Sequence, residues 1–414
     1  MPVARHVLYI SYDGMTDPLG QSQVLPYLRG LAGHGYDIHL LSFEKPGAFQ
    51  GERSLIEGIC RDAGITWHPI PYTKSPPVLS SLYDYFVMVR MALKLQKQYN
   101  FNLVHCRSYL PAMAGLKLKN AFGVKLLFDI RGFWADERVE GKIWNLTNPV
   151  FKTIYRFFKN QERILFNSAD GIISLTRRAV PVIRNLQTEA AQSIPLEVIP
   201  CCVDTALFDP ENYSAQEKRD ARKSLGIPEN AFVLTYLGGI GTWYKAEEMF
   251  DFFSRLLVRF PDAYFYFITR EPKEVLEAMA SKRNIPVSRI IIKAVSRKEI
   301  PLHLSIADAT IYFIMDSFSK QASSPTKQGE VMSMGIPLIC NPGVGDSSDI
   351  LEANHTGHIC KAYNTEAYDK IVAAIEFPSK VEEKNHIREV AIKNFSLEDG
   401  VRKYLSVYKK LLQE

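Results

Sequence analysis

Ser323-Ser324-Pro325-Thr326-Lys327-Gln328-Gly329-Glu330-Val331-Met332-Ser333-Met334-Gly335-Ile336-Pro337-Leu338-Ile339 is the stretch on which the fold turns. A polar loop feeds a helix at about Lys327, Gly335 stops that helix, and an apolar run as far as Cys340 reads as a buried strand. A second apolar run, residues 309–314, precedes the loop. Strand, helix and strand in that order form a βαβ unit, whose crossover is right-handed and whose strands are parallel.

Outward from this segment the pattern repeats. Short β-branched or aromatic runs at residues 7–12, 38–43, 66–70, 103–105, 125–128, 172–175 and 196–199 alternate with helix-length stretches. Further runs stand at 233–237, 264–268, 290–293, 309–314 and 337–340. Parallel strands covered on both faces read as such continuous apolar runs. The expected class is therefore α/β, with two doubly wound, Rossmann-like domains. The chain has 414 residues, too many for one ordinary core, which agrees with two domains. The boundary falls near Pro200–Pro210, where a strand ends and Asp209-Pro210 opens a charged stretch, with domains expected over 1–205 and 206–395 and a last helix, 396–414, packing back on the first.

Hydrophobic residues make up 46% and charged residues 23%, which excludes extended disorder. No run of eighteen apolar residues is present, and the first residues lack a signal-peptide core, so a cytoplasmic protein is expected. The six cysteines have no metal-ligand spacing and read as reduced thiols. Residues 1–209 hold 23 Lys and Arg against 18 Asp and Glu, whereas residues 210–414 hold 27 of each. All of the +5 excess thus lies in the first half, which suits an anionic surface or substrate. The surplus is too small, and aromatic-basic motifs too few, for a nucleic-acid binder.

Three loops at strand ends carry candidate chemistry. The first strand runs into a polar loop with Gly20, ahead of a helix expected from about Val24; this is either an anion site or a plain βα turn. The loop with Gly238, Gly239 and Gly241 leads to Lys245, and its glycines either admit a phosphate or serve a tight turn. In the opening segment, Ser324, Pro325, Thr326 and Lys327 surround a helix start suited to a diphosphate. One turn inside, Glu330 is either an acceptor for vicinal ribose hydroxyls or a first-turn carboxylate favoured by the helix dipole.

These segments, in this order, resemble the retaining GT-B glycosyltransferases of family 4, also called the glycosyl transferases group 1 type. Val198-Ile199-Pro200-Cys201-Cys202-Val203-Asp204 is similar to the family's interdomain "IPNGVD" stretch, and Glu330 to Pro337 matches the second half of its E-x7-E motif. Leu31 to Ile38 and Ala169 to Ser174 resemble its "LxxxGHxV" and "ADxIIxxS" motifs. The resemblance covers nearly the whole chain. It implies two Rossmann-like domains facing across a cleft, the second binding a nucleotide sugar, UDP-linked by preference. It implies transfer of a hexosyl group, with retention, to a glycan or lipid-linked hydroxyl in bacterial cell-surface polysaccharide or glycolipid assembly. No metal or other cofactor is expected. Rival readings are a GT-B nucleotide-sugar epimerase and a non-catalytic nucleotide-sugar binder.

Departures from the family pattern are informative. The first motif glutamate falls on Ala322, and the usual donor-domain arginine falls on Gly239, while Lys245 keeps the family's lysine position. Lys327 is the expected replacement cation. In the first half Arg131 stands where the family often has histidine, and a guanidinium there stabilises charge on a departing diphosphate rather than acting as a base. Asp136 and Glu137 are the nearby groups expected to orient or deprotonate an acceptor hydroxyl. From Phe151 to Phe166 a helix carries Lys152, Arg156, Lys159 and Arg163 on one side, which reads either as docking on the anionic inner face of the plasma membrane or as a solvated surface helix.

Overall fold

A computed structural model describes residues 5–76 and 78–413. The chain divides into two compact units, residues 1–200 with 397–414, and residues 201–396.

The first unit is built on seven strands: β1 (His6–Ser11), β2 (Asp37–Glu44), β3 (Thr66–Pro71), β4 (Leu103–Arg107), β5 (Lys125–Asp129), β6 (Gly171–Ser174) and β7 (Leu196–Val198). They lie in the order β3-β2-β1-β4-β5-β6-β7, all parallel. The second holds β8 (Val233–Leu237), β9 (Tyr264–Ile268), β10 (Ile290–Lys293), β11 (Ala309–Tyr312), β12 (Leu338–Cys340) and β13 (Gly357–Ile359). Their order is β10-β9-β8-β11-β12-β13, again parallel throughout. The central strands β4 and β8 are buried at every residue, which is why they lack an in-out alternation. The edge strand β13 escapes a reading by apolar runs: Gly-His-Ile is short, half-buried and poor in β-formers.

The chain leaves the first unit after Pro200 because Val203 is tied to the end of the second: its amide donates to Phe395 O at 2.7 Å and it bridges to Ser396. Cys201 to Thr205, assigned to the first half by sequence, therefore sit in the second unit. The last helix, Leu397–Leu412, returns to the first. Its Val401 packs against Gly30, where any Cβ would come within 2.6 Å of the valine. Its Tyr404 donates to Asp129 Oδ2 at 2.9 Å, and Tyr408 meets His105 Nδ1 at 2.8 Å.

In the first βα loop, read either as an anion site or as a plain turn, the groups an anion would meet are taken up within the protein. A helix begins already at Pro18, and Gly20 lies inside it. A Cβ at Gly20 would stand 2.2 Å from Gly14 O, so the missing side chain lets the helix close onto its own loop. The loop amides are also occupied. Glu44 at the end of β2 accepts from Met15 N at 2.8 Å, Thr16 N at 3.0 Å and Thr16 Oγ1 at 2.6 Å. The protein thus supplies its own buried carboxylate in the place of an external anion. Gly20→Ala is expected to lower stability by about 1–3 kcal/mol through overpacking, read from urea unfolding; an unchanged midpoint would contradict the close approach.

Candidate functional site

Both sheets reverse strand order at one point, β1/β4 in the first and β8/β11 in the second, and ligands of doubly wound sheets bind beyond the carboxyl ends at such points. In the second unit the loops leaving β8 and β11 are hydrogen-bonded to each other. Lys245 N donates to Phe313 O at 2.8 Å, Met315 N donates to Trp243 O at 2.8 Å, and Tyr244 bridges to Ile314. The glycine loop is shaped by positive φ at Gly238 (105°) and Gly241 (32°), angles that side-chain-bearing residues avoid. Glu271 accepts from Ile240 N at 3.0 Å and so holds one of the loop's amides.

Lys327 lies beneath this loop. Its Nζ is 3.1 Å from Tyr236 Oη and only 4.2 and 3.9 Å from the ring centres of Tyr236 and Tyr244. A Cβ at Gly238 would come within 3.4 Å of the same Nζ. Tyr236 in turn donates to Gly239 O at 2.6 Å, so lysine, phenol and glycine loop form one chain of contacts. Burial pushes the Lys327 ammonium down to about 7, against a weaker upward pull from Glu330. Lys327 opens the helix Thr326–Ser333, whose cap position, Pro325, offers no side-chain oxygen to its first amides. The helix is closed by Gly335 with φ at 70°, where a Cβ would strike Lys384 O at 2.8 Å.

The remaining residues expected at the donor site are placed as follows. Glu330 is buried, and its Oε1 accepts from Arg297 Nη1 at 2.9 Å. Ser324 Oγ accepts from Cys201 N at 3.1 Å, which anchors the loop ahead of the helix. Gly239 and Gly241 are exposed at the loop tip. Lys245 lies away from the Lys327 cluster: its Nζ is 3.2 Å from Glu248 Oε1 and 4.2 Å from the Tyr363 ring centre. Three neighbouring residues carry no signal in the sequence reading, namely Tyr236, Arg297 and the buried Lys320, whose Nζ stands 3.6 Å above the Trp243 ring. Arg297 follows β10 at its carboxyl end, the position at which a basic residue was worth weighing.

In the first unit Arg131 has φ at +57°, and its Nη1 is 3.7 Å from Asp129 Oδ2. Burial alone would raise the Asp129 carboxyl, but Arg131, His105 and Arg107 outweigh it and hold it down to about 2. Asp136 is engaged elsewhere, accepting from Tyr155 Oη and Lys159 Nζ, each at 2.8 Å. Lys159 also pairs with Glu162, so this cluster fastens the helix Pro149–Ser168 to the helix Trp134–Glu140. Glu137 is partly exposed on the latter.

The Glycosyltransferase Family 4 pattern matches residues 21–207, and the Glycosyl transferases group 1 pattern matches residues 217–394. The chain belongs to the family 4 glycosyltransferases. Its fold is GT-B, two Rossmann-like domains. Among solved structures it is similar to a glycosyltransferase from Rickettsia africae, at 17% identity with a TM-score of 0.73 and 99% of each chain covered. It is also similar to HepE from Anabaena, solved with UDP and glucose, at 12% identity and a TM-score of 0.68, covering 97% of this chain and 98% of that one. A third is WaaG, a glycosyltransferase involved in lipopolysaccharide biosynthesis, at 14% identity and a TM-score of 0.67, covering 98% and 99%. No curated protein sequence matches the chain. Among the described residues no helix is long and apolar enough to cross a membrane, and no group of three or more His, Cys, Asp or Glu is placed to hold a metal ion.

The Lys327 environment makes a pH signature. With a folded value near 7 and an ordinary unfolded value near 10.5, the unfolded chain holds one more proton between them, so this residue makes stability rise with pH across that window. Lys327→Met is expected to be more stable than the parent at pH 7, with the difference shrinking toward pH 10. Urea unfolding of both proteins at several pH values checks it, and a pH-independent difference would mean that the ammonium is not desolvated.

Proposed function

We propose that the glycosyltransferase takes a nucleoside-diphosphate sugar, UDP-linked by preference, and transfers the hexosyl group with retention to a glycan or lipid-linked hydroxyl in bacterial cell-surface polysaccharide or glycolipid assembly. The observation that carries this is the Lys327 ammonium, set beneath the glycine loop at the start of a helix with an uncapped N-terminus. A desolvated cation at a helix start suits a diphosphate, whose charge it answers in low dielectric. Glu330 is assigned to the ribose hydroxyls, with Arg297 orienting its carboxylate. Arg131, in a left-handed turn, is assigned to steadying negative charge during transfer, and Glu137 to orienting the acceptor. Asp136 is given no such part, because Tyr155 and Lys159 already hold it. Lysine and amides take the place of a metal, so chelator is expected to leave turnover unchanged.

A thermal-shift panel of nucleotide sugars identifies the donor, and titration calorimetry then tests the site. Lys327→Ala and Glu330→Ala are each expected to weaken donor binding by roughly 10- to 100-fold, the range for a lost hydrogen bond to a charged group. Because the bound diphosphate favours the protonated lysine, parent affinity falls as pH rises above about 7, whereas Lys327→Ala shows no such fall. Equal affinity of parent and Lys327→Ala at pH 6.5 would reject the assignment. Release of free sugar from the donor by the parent separates turnover from binding alone.

A further inference from the structure

The helix from Phe151 to Phe166, read either as docking on a membrane or as a solvated surface helix, buries part of its apolar side. Phe158 packs against Trp134 and Trp144 with ring centres 4.8 and 5.8 Å apart, and Leu165 and Phe166 are fully buried. The helix Pro149–Ser168 keeps Val150, Phe157 and Ile164 exposed, at 59, 47 and 37%, and a denser exposed apolar stripe lies on the helix Leu79–Tyr99. There Leu79, Leu82, Tyr83 and Phe86 are 63, 59, 60 and 64% exposed. Their spacing of i, i+3, i+4 and i+7 makes one continuous stripe. The opposite side of the helix is already satisfied, since Met88, Ala92 and Leu95 are buried.

The same stripe continues as Arg90, Lys94 and Lys97, all exposed, at i+11, i+15 and i+18 from Leu79. The helix has a single carboxylate, Asp84, which is buried and accepts from Tyr12 Oη at 2.8 Å and Thr73 N at 3.1 Å. The adjoining helix, Tyr109–Phe122, packs beside it, contains no acidic residue, and sets Lys117 5.7 Å above the Tyr85 ring centre. Two neighbouring helices thus present apolar and cationic side chains with no exposed carboxylate between them.

We infer that the helix Leu79–Tyr99 docks this enzyme on an anionic phospholipid surface, with Leu79, Leu82, Tyr83 and Phe86 entering the acyl boundary and Arg90, Lys94 and Lys97 meeting the headgroups. Exposed Leu and Phe at the start of a helix, with cations filling its last turns, match an interfacial helix lying in the plane of a leaflet. Each Lys or Arg near such a surface adds about 1 kcal/mol, so three correspond to on the order of 100-fold in partitioning. This inference stands independently of the donor site.

Co-sedimentation of the full chain with vesicles of phosphatidylcholine, with and without phosphatidylglycerol, tests it. The parent is expected to bind the anionic vesicles and to bind the neutral ones at least about 10-fold more weakly. Leu82→Ser/Tyr83→Ser/Phe86→Ser is expected to lose binding to both, and Arg90→Gln/Lys94→Gln/Lys97→Gln to lose on the order of 100-fold on anionic vesicles alone. All six residues are exposed, so both variants should keep the parent's circular dichroism and melting temperature. Lys152→Gln/Arg156→Gln/Arg163→Gln, on the helix Pro149–Ser168, should bind as the parent does. Indifference of the parent to lipid charge, retention of binding by either first variant, or its loss in the Lys152 set would each overturn the inference. So would a parent that ignores vesicles but forms a dimer, seen by sedimentation velocity, that the serine variant breaks.

Discussion

Every strand in both sheets runs parallel to its neighbours, and that constraint governs the rest. A parallel ladder has no hairpins, so each return must cross a face as a helix and each strand must deliver its carboxyl end to the same edge. Where strand order reverses, successive helices leave on opposite faces and the edge is left uncovered. The loops after β8 and β11 fill that place in the second unit, and their mutual hydrogen bonds make one surface of them. The glycines, Tyr236 and Lys327 matter because they lie there.

The chemistry at this edge follows from a charge kept partly from water. Two tyrosine rings and a phenol oxygen are weaker partners for an ammonium than a carboxylate would be, so Lys327 holds its proton less firmly than an ordinary lysine. On the proposed reading, a bound diphosphate removes that deficit. The first unit follows the opposite policy at Asp129 and in its first loop, where Arg131 and Glu44 meet internal partners. Asp129 meets cations of its own unit, whereas Lys327 meets aromatic rings and a phenol oxygen.

The strands were legible because buried parallel strands are continuous apolar runs, and all but β13 were located from that signal. Gly357–Ile359 failed it because an edge strand of three half-buried residues needs no apolar run. The segment from Ser323 to Ile339 was legible for a similar reason, since a helix start and a glycine stop are local signals. The first loop stayed open between an anion site and a plain turn because Glu44, which holds it, lies 28 residues beyond Thr16 and nothing local announces it. The helix from Phe151 to Phe166 and the helix Leu79–Tyr99 show the same limit. Apolar residues at helical spacing look alike in sequence whether they meet tryptophans, as Phe158 does, or solvent, as Phe86 does.

The return of the helix Leu397–Leu412 bears on how the chain is made. Tyr404 and Tyr408 complete the contacts of Asp129 and His105, residues that leave the ribosome nearly three hundred positions earlier. Domains generally fold in the order in which they are synthesised. Here the first unit takes its last helix from the end of the chain, while the second is one continuous stretch, residues 201–396. A nascent chain halted before Tyr404 would carry a first unit without that helix, with the slot beside β4 and β5 still open to water.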